Sequence, residues 1–78
     1  MKERQSQKVF SYQGYRASYQ YVADTKMWEG GMQRGNMSIE FGGDSEQEAE
    51  EEFRYMMDAY LKDCADSGET PEPPDEEV

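Results

Sequence analysis

Residues 41–64 read FGGDSEQEAEEEFRYMMDAYLKDC, and this stretch decides the fold. Before its two glycines the apolar residues alternate; after them they recur every three or four positions. Ser45 with Glu48 three residues on forms a capping box, in which each side chain satisfies a backbone N–H at the start of a helix. Asp44, Glu46, Glu48 and Glu50 crowd the first turns, where the helix dipole favours anions. Ala49, Phe53, Met56, Met57, Tyr60 and Cys64 fall at i, i+4, i+7, i+8, i+11 and i+15, one apolar stripe with Leu61 at its edge. Glu48, Glu51, Tyr55, Asp58 and Lys62 fall on the opposite side. Glu50 with Arg54, and Asp58 with Lys62, are i,i+4 pairs in the favourable order. Gly68 is placed to end the helix.

Working back from Phe41, the pattern is one of strands. Met37, Ile39 and Phe41 alternate with Ser38 and Glu40, and Trp28, Gly30 and Met32 alternate with Glu29 and Gly31. Arg34-Gly35-Asn36 between them is a turn. Further back, Phe10 and Tyr12 alternate with polar residues, then Tyr15, Ala17, Tyr19 and Tyr21 alternate in the other phase. That change of face across Gly14 predicts a bulge or bend inside one strand. The expectation is therefore an α+β fold of order β-β-β-α, a small antiparallel three-stranded sheet covered by one C-terminal helix. Residues 1–8 read as a polar N-terminal arm, 9–68 as the folded domain, and 69–78 (ETPEPPDEEV) as an acidic, proline-rich tail.

The 78 residues allow one thin core, with 35% apolar residues and a mean hydropathy of −1.17. No apolar run approaches the roughly 20 residues of a membrane span, and there is no secretory signal pattern. One cysteine forms no internal disulfide, which fits a reducing, cytoplasmic setting. The net charge is −10, unevenly spread. Residues 1–44 carry six bases and five acids, whereas residues 45–78 carry thirteen acids and two bases. Such a field repels a phosphate backbone and steers a basic protein partner, so no direct nucleic-acid binding is expected. Acidity that serves solubility alone is the plainer reading of the same composition.

Candidates for chemistry are few. With no histidine, the commonest general base near neutral pH and the Ser–His and Cys–His nucleophile schemes are absent. Cys64 lies on the apolar stripe and reads as a packing residue. Gly30-Gly31 and Gly42-Gly43 match no nucleotide-binding loop, and Asp75-Glu76-Glu77 lacks the spacing of a calcium loop. No catalytic residue, cofactor or metal is expected. Tyr55, an aromatic among Glu48, Glu51 and Asp58, reads as a contact anchor or as a lone surface tyrosine. The expected partner-binding residues are Glu48, Glu50, Glu51, Tyr55 and Asp58 on the helix, with Asp75, Glu76 and Glu77 of the tail.

From residue 14 to residue 73 the chain resembles the N-terminal domain of the HicB antitoxin family. The similar pieces are Gly14-Tyr15, the strand ending in Tyr21, and the turn region around Trp28-Glu29-Gly30. The sharpest is Phe41-Gly42-Gly43-Asp44-Ser45, similar to that family's F-x-G-x-S strand-to-helix junction. Phe53, Asp58-Ala59-Tyr60-Leu61, Cys64, Gly68 and Pro71 follow at family-like spacing. The resemblance implies a small α/β domain like a reduced RNase H or double-stranded-RNA-binding fold. It also implies a non-catalytic task, masking a small basic RNA-cleaving toxin of the HicA type, with dimers or tetramers common. Many members continue into a segment that binds operator DNA. Here Pro73-Pro74-Asp75-Glu76-Glu77-Val78 stands instead, and operator binding is not expected. Two alternatives fit the same charge pattern. One is a phage or mobile-element inhibitor of a nucleic-acid-binding defence complex, as anti-CRISPR proteins are. The other is a structural or oligomerising module, a homodimer for instance, whose sheet pairs edge to edge.

Overall fold

A computed structural model of the chain describes residues 7–74. The elements are β1 (Lys8–Tyr12), β2 (Tyr15–Val22), β3 (Met27–Arg34), β4 (Met37–Gly43) and α1 (Glu46–Ser67). The strands form one antiparallel meander in the order β1-β2-β3-β4.

The sheet thus has four strands, not the three expected, and the order is β-β-β-β-α. The residues read as one bent strand are a hairpin. Gln13 and Gly14 both take positive φ, 58° and 84°, the pattern of a two-residue type I′ turn. A two-residue loop pairs even positions with odd ones: Phe10 lies opposite Ala17, and Tyr12 opposite Tyr15. The apparent change of face across Gly14 is the parity shift that such a turn imposes. The type I′ turn usually announces itself by Asn-Gly or Asp-Gly, and Gln-Gly does not.

The registers put one row of residues on the core face. Phe10 and Tyr12, then Tyr15, Ala17, Tyr19 and Tyr21, then Trp28, Gly30 and Met32, then Met37, Ile39 and Phe41 all share it. Tyr15, Ala17, Tyr19, Met37, Ile39 and Phe41 are buried against Ala49, Phe53 and Met57 of the helix. Phe53 is the central plug, with ring centroids 5.2 Å from Phe10 and 5.1 Å from Phe41. Gly30 lies between Tyr19 and Phe41 in register, and a Cβ there would stand 2.8 Å from Phe41 Cζ. The missing side chain is what lets the two rings meet, centroids 6.2 Å apart, over a glycine.

The helix starts where the capping box places it. Ser45 Oγ accepts the Glu48 N–H at 3.1 Å, and Glu48 Oε1 accepts the Asp44 N–H at 2.9 Å. At the other end Gly68 takes the left-handed conformation (φ 75°), and the Glu69 N–H reaches the Cys64 carbonyl at 2.9 Å. The expected stripe is buried at Ala49, Phe53, Met57 and Cys64 and half-buried at Met56, Tyr60 and Leu61. No helix among the described residues is long and apolar enough to cross a membrane.

Residues 69–74 turn back as a strap over the β3–β4 turn. The Glu72 N–H donates to Tyr60 Oη at 2.7 Å, and Tyr15 Oη–H donates to the Glu72 carbonyl at 2.5 Å. Arg34 donates to the Pro73 carbonyl at 2.7 Å and the Pro74 carbonyl at 3.1 Å. A proline-rich segment outside any helix or strand is held by three side chains from three separate elements.

A candidate acidic docking face on the helix

The carboxylates of α1 divide by the element they lean towards. Glu46, Glu50 and Asp58 face the first two strands. Lys8 Nζ stands 3.6 Å from Glu46, Tyr19 Oη–H donates to Glu50 at 2.5 Å, and Tyr12 Oη–H donates to Asp58 at 2.9 and 3.1 Å. Arg54 adds a 3.9 Å contact to Glu50. These acids therefore tie the helix to the sheet. Burial raises the Tyr19 hydroxyl well above its ordinary pKa, and the Glu50 carboxylate raises it further by accepting its proton and by charge. Tyr15 is raised as well, first by burial and then by its neighbours Tyr60 and Cys64, against a lowering pull from Arg34.

The other flank is different. Glu52, Tyr55, Ala59 and Asp63 follow one another at i, i+3, i+7 and i+11, and all four are exposed. Tyr55 is 74% exposed. The side chains of Glu52, Tyr55 and Asp63 have no hydrogen-bond or ion-pair partner among the described residues, and Asp63 takes part only through its carbonyl, which accepts from Ser67 Oγ at 2.9 Å. Glu48 borders this row at the helix start, where part of its carboxylate serves the cap. Glu51 borders it on the solvent side and accepts from Gln47 Nε2 at 3.2 Å. The two bases of the helix are engaged elsewhere: Arg54 with Glu50, and Lys62 with Asp66 at 3.0 Å. The latter differs from the expected Asp58–Lys62 pair, because Tyr12 holds Asp58 towards β1.

Of the residues named from sequence, the structure groups Glu48, Glu51 and Tyr55 on the outer surface. It sets Glu50 and Asp58 apart as acids with partners in the sheet. Asp75, Glu76 and Glu77 lie outside the described residues. Three further acids emerge. Glu29, Glu40 and Glu52 line one open depression of about 650 Å³ whose floor includes Gly31 and Gly42. In register Glu29 faces Gly42 and Glu40 faces Gly31, so each carboxylate stands across from a position without a side chain. The parity of Glu29 and Glu40, opposite to Trp28 and Phe41, marks them as open-face residues in the sequence. Their grouping with Glu52 needs the sheet register and the placement of the helix.

Chemically, this surface offers fixed negative charge around one exposed aromatic ring. The described residues contain no cluster of ligands suited to a metal ion. No protein-family model, curated protein or solved structure matches the chain.

Proposed function

We propose that the chain is a non-catalytic masking protein that presents the outer flank of α1 to a basic, nucleic-acid-handling protein and closes that protein's site. The observation that carries this reading is the row Glu52, Tyr55 and Asp63, whose side chains have no partner among the described residues, bordered by Glu48 and Glu51, with both helix bases engaged elsewhere. Carboxylates on a rigid helix imitate a phosphate track electrostatically and steer a cationic surface. Tyr55 supplies a rigid aromatic anchor of the kind that dominates interface energies. The HicB resemblance makes a small basic RNA-cleaving toxin of the HicA type the first partner to test. Cytoplasmic residence belongs to the same proposal and is supported by the free, buried thiol of Cys64.

The test is the affinity of such a toxin for the chain by calorimetry at low and high salt. The expected result is binding that weakens as salt rises and falls about tenfold on Tyr55→Ala. Affinity unchanged by Tyr55→Ala together with Glu51→Lys would count against the flank.

A further inference from the structure

The two-residue turn at Gly35 and Asn36 fixes which backbone groups of β4 face inward. Arg34 and Met37 flank it and exchange ladder hydrogen bonds, and the alternation of an antiparallel pair then assigns Met32 with Ile39 and Gly30 with Phe41 to the bonded positions. The N–H and C=O groups of Ser38, Glu40 and Gly42 therefore point away from β3. β4 is the last strand of the sheet, and these groups have no partner among the described residues. Side chains on both sides of this edge are acidic. Glu52, from the helix on the core side, lines the same depression as Glu29 and Glu40 on the open side, so the depression wraps around the free edge. No lysine or arginine lines it.

We propose that this edge accepts an extended basic segment of the protein partner as a fifth strand, with a lysine or arginine opposite Glu40. The inference rests on the masking function and says how the partner is held. Main-chain hydrogen bonds to Ser38, Glu40 and Gly42 supply the grip, and charge complementarity supplies the choice of occupant. The same charge argues against a second copy of this chain. Two β4 edges pairing antiparallel through these groups set Ser38 against Gly42 and Glu40 against Glu40, a like-charge pair that protects the edge from itself.

The probe is a synthetic eight-residue peptide of alternating lysine and valine, read by backbone amide shifts and hydrogen exchange of the whole chain. The expected result is perturbation and slowed exchange at Ser38, Glu40 and Gly42. The same peptide N-methylated at its lysines keeps its charge but loses the donors that face Ser38, Glu40 and Gly42, and should bind at least about tenfold more weakly. A glutamate–valine peptide should not bind. Ser38→Pro removes an outward N–H without breaking the inner ladder and should weaken the basic peptide to the same degree. Equal binding of the N-methylated peptide overturns the strand-addition proposal, as does an absence of perturbation along β4. Dimerisation of the chain alone that Ser38→Pro abolishes overturns it too, by assigning the edge to a second copy. Perturbation confined to residues 52–63 overturns the edge as the grip and leaves the masking function standing.

Discussion

The two flanks of α1 carry similar numbers of acids and hold them differently. On the side of β1 and β2, Glu46, Glu50 and Asp58 each meet a lysine or a tyrosine hydroxyl from the sheet. On the side of β4, the carboxylates of Glu52 and Asp63 have no hydrogen-bond or ion-pair partner among the described residues, and Tyr55 stands between them in solvent. Charge density alone therefore does not tell the two flanks apart. What separates the flanks is whether the sheet supplies a donor, and the donors Tyr12 and Tyr19 both come from the first hairpin.

The largest effect is expected where the two flanks share a support. Phe53→Ala empties the centre of the aromatic cluster and should cost about 3–5 kcal/mol in urea unfolding, loosening both flanks together. A loss below about 1 kcal/mol would place the core elsewhere.

The comparison itself is broken or kept by a pair of substitutions. Tyr12→Phe removes the hydroxyl that Asp58 accepts and should cost about 1 kcal/mol, the site being partly exposed. Glu52→Gln on the other flank should change stability by less than about 0.5 kcal/mol. Equal effects would erase the distinction.

The hairpin that divides the flanks was the part of the fold least legible in the sequence. The helix announced itself through Ser45, the acidic first turns and the spacing of Ala49, Phe53, Met57 and Cys64, all local signals. β3 and β4 announced themselves through alternation around Gly35 and Asn36. The turn at Gln13-Gly14 was hidden, because glutamine carries no preference for positive φ and the parity shift mimics a bulge. Tyr55 could be placed from helical periodicity alone. The separation of Glu50 and Asp58 from the outer acids could not, since it depends on tyrosines 31 and 46 positions away in the chain. The strap was invisible for the same reason: Tyr15, Arg34 and Tyr60 hold residues 72–74 through long-range contacts that composition does not encode.

A smaller effect sharpens the contrast through pH. Tyr19 and Tyr15 are raised in the folded state, so above an ordinary tyrosine pKa of about 10 the unfolded chain loses protons that the folded chain keeps. Stability should hold level from pH 7 to about 10 with respect to these groups and fall as pH rises further. Tyr19→Phe should make that fall shallower, which unfolding free energies measured across pH 8–11 check. Smallest of all, Asp66→Asn removes an exposed ion pair with Lys62 and should shift stability by no more than about 0.5 kcal/mol, less at high salt.

The most direct measurement is displacement. A fluorescently labelled RNA bound to a small basic toxin of the HicA type is titrated with this chain, and RNA anisotropy is followed. The proposed masking function expects the RNA to be released free by the wild-type chain, and to stay bound to the toxin when Glu52→Lys and Tyr55→Ala are combined. RNA that remains on the toxin in the presence of excess wild-type chain, or that passes to the chain itself, would contradict it.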